Sequence, residues 1–250
     1  MTLPFDLGPG AALWLAVVCL GAGYVRGYSG FGFAALVVTG ASLVTDPLLF
    51  VPVVILADIA LTAQQARGIR RHVDWRRVAG LFLGCVVTVP VSVWALTSVG
   101  VDAARAAISG YVLAMCGLLL AGWQLPARFH RRDGANLGVG LVSGLANGAA
   151  VGGLPVAVYF AAMNLPAATF RATLIAYFTL LDLWTLPVMA ALGLITRDTL
   201  VATVVLGPVM IAGVALGSRR FNRANPQSYR RFAILLLAVL ALAGLGRSLW

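Results

Sequence analysis

Six polar side chains stand inside apolar stretches of this sequence: Arg26, Ser29, Asp58, Asn147, Arg171 and Asp182. A guanidinium presents a planar fork of N–H donors that grips two oxygens of an oxyanion at once. Arg26 and Arg171 are therefore candidate anion ligands, or else anchors that snorkel to a membrane interface. A carboxylate at mid-bilayer costs about 2.5–3.5 kcal/mol and sheds that cost by taking up a proton. Asp58 and Asp182 are accordingly proton-coupling candidates; paired with an arginine or a hydroxyl they would be structural. Ser29 and Asn147 sit in two glycine-rich segments, Arg26-Gly27-Tyr28-Ser29-Gly30-Phe31-Gly32 and Asn147-Gly148-Ala149-Ala150-Val151-Gly152-Gly153. Such a segment breaks a helix, lets the backbone approach a ligand closely, and leaves free N–H groups where the next half-helix begins, which suits an anion. Together the two segments form a candidate anion cradle, with hydrogen bonds added by Ser29 and Asn147. The competing reading makes these glycines helix-packing faces in lipid.

The composition narrows what surrounds these residues. The 250-residue chain is 61% hydrophobic and 10% charged, with a mean hydropathy of +0.95, whereas a soluble domain carries about a quarter charged residues. All 18 basic residues are arginine and all 8 acidic ones are aspartate. Without lysine there is no phosphate-loop lysine, Schiff-base cofactor site or Ser-Lys dyad. The net charge of +10 would suit nucleic acid in a soluble protein, but here the arginines cluster between apolar spans, which sets membrane orientation instead. Cys19, Cys85 and Cys116 lie far apart in apolar runs and read as buried small hydrophobes. No metal or cofactor site is expected. The first residues carry no positive n-region, so the first apolar stretch is expected to be retained.

The elements that must position these groups are helices. A spanning helix needs about 20 apolar residues, and six stretches approach this, near 48–66, 78–96, 106–122, 170–193, 199–218 and 232–249. Two pairs of shorter stretches, 11–26 with 33–45 and 135–146 with 154–163, flank the glycine-rich segments. Arginines at 67, 70, 71, 76 and 77, at 128, 131 and 132, and at 219, 220, 223, 230 and 231 share three loops, which the positive-inside rule places in the cytoplasm. Arg105, Arg197 and Arg247 then fall outside, with both termini. Residues 20–27, LGAGYVRG, match 137–144, LGVGLVSG; Pro47 matches Pro166, and LGCV at 83–86 matches LGPV at 206–209. Asp58 and Asp182 fall at nearly equivalent positions. The matched loops lie on opposite sides of the membrane. The expected fold is thus all-α and polytopic, one domain over 1–250, with two inverted repeats (11–123 and 134–249). Each repeat holds a short broken helix pair and three long spans, with a ligand near the midplane. Pro52 and Pro187, close to the aspartates, are expected to kink their helices.

The segments Gly27-Tyr-Ser-Gly-Phe-Gly32 and Ser143-Gly-Leu-Ala-Asn-Gly-Ala-Ala-Val-Gly-Gly-Leu-Pro155 resemble the glycine-rich motifs of the sulfite exporter TauE/SafE family, and the resemblance runs nearly the full length. The first departs from the family pattern at Phe33-Ala-Ala, where further glycines and a later proline are usual; the second keeps its Gly-Gly and Pro155. The resemblance implies transport of a small sulfur-containing anion, sulfite or an organosulfonate, often outward; the expected location is the inner cell membrane. Protons are the candidate coupling ion. A passive anion channel and an uptake permease for another small organic acid are the alternatives. A more distant one reads Gly27-Tyr-Ser-Gly30 as the nucleophile turn of an intramembrane serine protease. That needs a base within reach of Ser29, yet His72 and His130 fall in basic loops.

Overall fold

The computed structural model describes residues 4–122, 124, 133–163 and 165–221, and towards the C-terminus 234–235, 238–239, 241–242 and 244–246. All its described regular elements are helical: α1 (Pro9–Ser29), α2 (Phe33–Ala41), α3 (Phe50–Ile69), α4 (Trp75–Leu96), α5 (Val101–Ala121), α6 (Asp133–Asn147), α7 (Gly153–Ala162), α8 (Ala167–Ala191) and α9 (Arg197–Phe221). The described residues between 234 and 246 are helical as well, inside the expected span 232–249. Six helices among the described residues are long and apolar enough to cross a membrane. Leu13 and Val17 on α1, Leu83 and Val87 on α4, and Val204 and Val205 on α9 point outward in an apolar belt. Only hydrocarbon solvates such a surface without penalty. The arginines at 128, 131, 132, 223, 230, 231 and 247, and His130, lie outside the described residues.

The expected short stretch 11–26 is corrected by α1, which runs through Arg26 to Ser29 and is 21 residues long. The expectation ended the helix at its charge, but that charge is neutralised from another helix and the backbone continues past it. The partner stretches stay short: α2 has 9 residues and α7 has 10. At about 1.5 Å per residue neither crosses a core of about 30 Å. Both double back on the helix before them. Trp14 Nε1 donates to Gly40 O at 2.9 Å, and Tyr159 Oη donates to Asn136 Oδ1 at 3.1 Å. Pro52 is the third residue of α3, in the first turn, where a missing N–H breaks no helical bond; Pro187 lies inside α8.

Two parallel, glycine-lined pairs frame the molecule. On α1 and α9, Gly23 and Gly27 meet the backbone of residues 210–218, while Gly213 and Gly217 meet that of residues 20–28. On α4 and α6, Gly84 meets Leu137 and Leu141, Gly140 meets Leu81, and Gly144 meets Cys85. A Cβ at any of these glycines would collide with backbone, so small residues set the helix separation. The two pairs also share a contact pattern. Gly84 touches Leu137 O and Leu141 N, and Gly213 touches Leu20 O and Tyr24 N; these are the same positions of LGVGLVSG and LGAGYVRG. A Cβ on Gly207, in the LGPV matched to LGCV by letter, would meet nothing within 4 Å among the described residues. Gly84 and Gly213 thus make the same kind of contact with their neighbouring helices.

Chain ends of the helices fall on two faces. Phe5 N donates to Asp198 Oδ2 at 3.2 Å, and Arg105 Nε donates to Ser42 O at 2.9 Å, so the starts of α1, α5 and α9 and the end of α2 share one face. Arg105 is buried there, bound to Ser42 and Thr45 carbonyls and to Asp102, rather than exposed as a loop charge. Asp74 N donates to Thr173 Oγ1 at 3.0 Å, joining the starts of α4 and α8 on the other face. The α1–α2 hairpin opens on the first face and the α6–α7 hairpin on the second.

Candidate functional site

Each hairpin tip is built by its own sequence. Gly30 and Gly32 have φ of 81° and 85°, a left-handed conformation that costs glycine nothing. Gly30 N donates to Arg26 O at 2.8 Å to close α1, and the chain turns directly into α2. Ser29 Oγ lies 2.8 Å from Val25 O and 3.1 Å from Phe31 O. The hydroxyl is thus spent on stitching the break. At the second tip Ala150 takes φ of 55°, unusual for a residue with a Cβ and worth notice where it adjoins a cavity. Ser143 Oγ donates to Gly152 O at 2.6 Å and accepts from Tyr177 Oη at 2.7 Å, holding that tip to α8.

Both tips face one cavity of about 40 Å³, room for a few waters or one small anion. Its polar lining is Arg26, Asp58, Asn147 and Asp182; its walls include Phe31, Phe33 and Phe178 and the first residues of α2 and α7. Arg26 is 1% exposed. Its Nη1 is paired with Asp58 Oδ1, and its Nη2 donates to Thr62 Oγ1 at 2.8 Å and to Asp58 O at 3.3 Å. Its guanidinium carbon lies 5.8 Å from the Phe33 ring centroid, within cation–π range. Arg26 Nε is buried with no protein acceptor among the described residues. Asp182, on α8, stands beside the Asp58 carboxyl and within the field of Arg26. Asn147 Nδ2 donates to Thr185 Oγ1 at 2.8 Å, one turn along α8 from Asp182.

Of the residues singled out by sequence, Arg26, Gly32, Asn147, Gly153, Asp58 and Asp182 converge on this cavity. The others stand behind it. Gly27 packs on α9, Gly148 on Ser92 of α4, and Gly30 against Arg171; Gly152 is the acceptor for Ser143. Arg171 Nη2 donates to Gly27 O at 2.6 Å and to Ser218 Oγ at 3.1 Å, so it braces the first tip from outside the cavity. Sequence reasoning did not single out Thr62, Thr185 or Tyr177, and it named Ser143 only as the first residue of its glycine-rich motif. Thr62 and Thr185 lie one helical turn beyond the two aspartates, a spacing that brings side chains onto one face and could have marked them.

A bundle of apolar spans closing on a buried cluster of charges, with two half-helices starting at its wall, belongs to the membrane transporters in class. The model of the family "Sulfite exporter TauE/SafE" matches residues 15–244, and the chain belongs to that family. Among curated relatives it is similar to the "Probable sulfite/organosulfonate exporter TauE" of Cupriavidus necator, 29% identical over 236 residues that cover 92% of this chain and 90% of the relative. No solved structure matches the chain.

Proposed function

We propose that this protein is a secondary-active carrier of a small sulfur-containing anion, sulfite or an organosulfonate, working as an exporter in the inner cell membrane. One observation carries the reading: the N-termini of α2 and α7 and the guanidinium of Arg26 meet at a single cavity. Free backbone N–H groups at a helix start and a buried arginine both favour an anion. Family membership and the name of the relative supply the sulfur chemistry.

The site lies between two inverted repeats in this proposal. The pairing of α1 with α9 and of α4 with α6 is unchanged when each helix is exchanged for its counterpart, and so is the pairing of α3 with α8. Hairpins opening on opposite faces fit the same relation. The arginine-rich face, with Arg70, Arg71, Arg76 and Arg77, is cytoplasmic and both termini are outside. Asp58 and Asp182 carry the coupling proton.

A thermal-shift panel on the purified full chain tests the substrate class, with sulfite, sulfate, methanesulfonate, taurine, sulfoacetate, acetate and sodium as ligands. Stabilisation by sulfite or the sulfonates, lost in Arg26→Ala, is the expected result. Equal response to acetate would favour the organic-acid permease, and no response to any anion would remove the reading.

A further inference from the structure

The two half-helix starts at the cavity are not equivalent. The first N–H groups of any helix lack acceptors within that helix. At α2 those of Phe33, Ala34 and Ala35 find no carbonyl elsewhere among the described residues. At α7 the first three residues are Gly153, Leu154 and Pro155. Leu154 N donates to Val151 O at 3.2 Å, and a proline has no N–H to offer. Phe178 covers the remaining position, because a Cβ on Gly153 would lie 2.8 Å from the ring Cζ. The free side-chain donor belongs to the α2 end as well. Arg26 Nη1 and Nη2 are engaged by Asp58 and Thr62, whereas Nε is buried with no acceptor among the described residues. The guanidinium carbon stands 5.8 Å from the ring of Phe33, the first residue of α2. An oxyanion can take Nε while Asp58 stays where it is.

Resting on the carrier reading above, we propose that the head of the anion is held at the α2 end, by these N–H groups and Arg26 Nε, and that Phe178 is a specificity-determining stop at the α7 end. The substrate is then a compact oxyanion, sulfite or a one-carbon sulfonate. Space supports this. The cavity of about 40 Å³ has room for about three waters, whose places the three oxygens of an SO₃ head would take. Every lining side chain larger than alanine is buried, so a tail has no open groove to run into. Around Phe178 the wall continues as Leu154 and Leu181, which give a tail no polar partner. A two-carbon tail with a charged end, as in taurine or sulfoacetate, must push Phe178 off Gly153. Interiors this closely packed resist even one added methylene.

Alkylsulfonates of increasing length are the appropriate probes, because the head and its charge stay constant while the tail grows. Titration calorimetry on the purified full chain with methane-, ethane- and propanesulfonate reads the limit directly. Propanesulfonate should bind at least about tenfold more weakly than methanesulfonate. In Phe178→Ala the ratio of propanesulfonate to methanesulfonate affinity should rise about tenfold, with Phe178→Leu between the two. Ala35→Pro gives α2 the proline that α7 already carries at its third position; losing that N–H should weaken methanesulfonate about tenfold. Equal affinity along the series in the wild type, or an unchanged ratio in Phe178→Ala, would overturn the stop and leave the carrier reading intact. Unchanged methanesulfonate affinity in folded Ala35→Pro would overturn the placement of the head. Absence of binding by sulfite and by every sulfonate would overturn the carrier reading itself. Should the variants fail to fold, the wild-type series alone decides the length limit.

Discussion

At the scale of single residues, the ion pair between Arg26 and Asp58 is where stability and function separate. Removing one partner strands a buried charge, so Arg26→Met or Asp58→Leu should each cost about 3–5 kcal/mol in thermal or denaturant unfolding in detergent. The double variant replaces the pair with apolar side chains and should recover most of that loss, yet bind no sulfonate. Recovery of stability together with retained binding would make the pair purely structural. The residues of this site were half legible. An arginine and two aspartates in apolar runs announce themselves, because each is costly alone. Their pairing was not legible, since Arg26 and Asp58 lie 32 positions apart on different helices. No local pattern states that two charges will meet. Ser29 shows a related limit: its hydroxyl bonds to the backbone of its own turn, a use that residue type and spacing do not distinguish from ligand binding.

At the scale of elements, glycine serves as both hinge and contact, and sequence shows only that it is present. The two breaks were legible because glycines gather where apolar periodicity lapses. The packing role of Gly84 and Gly213 depends on which neighbour approaches, and the letters do not separate them from Gly207. The difference is measurable. Gly84→Ala and Gly213→Ala press a methyl into backbone and should destabilise by about 1–3 kcal/mol, whereas Gly207→Ala, which meets open space, should change stability by less than about 0.5 kcal/mol. Comparable loss at Gly207 would reject this difference in packing role. Helix ends were the least legible feature. The extent of α1 depends on a neutralising partner brought in by the fold, and α2 and α7 stop short because Arg105 and the Tyr159–Asn136 bond secure chains that return to the face they came from.

At the scale of the whole molecule, the pairings sort eight of the helices into two bodies, α1, α2, α3 and α9 in one and α4, α6, α7 and α8 in the other, with α5 touching α2 of the first and α7 of the second. The main seam between them is α3 against α8, crossed by Thr179 Oγ1 donating to Thr62 Oγ1 at 2.9 Å and by the neighbouring aspartates. If the bodies move against each other during transport, a disulfide in Thr62→Cys/Thr179→Cys should stop flux in proteoliposomes, and reduction should restore it. Undiminished flux in the oxidised variant would place the moving seam elsewhere. Orientation is checked separately. With the native cysteines replaced, Asp198→Cys should react with an impermeant thiol reagent in intact cells, and His72→Cys only after permeabilisation; the reverse would invert the assignment. The α1–α9 pair also has a consequence for the order of synthesis. Of this pair α1 leaves the ribosome long before α9, which is complete only at Phe221, while α6 finds α4 already made. The nascent chain must therefore carry α1, arginine included, through the synthesis of α2 to α8 before that helix has its lasting neighbour. Loss of α9 should harm the beginning of the protein more than the middle.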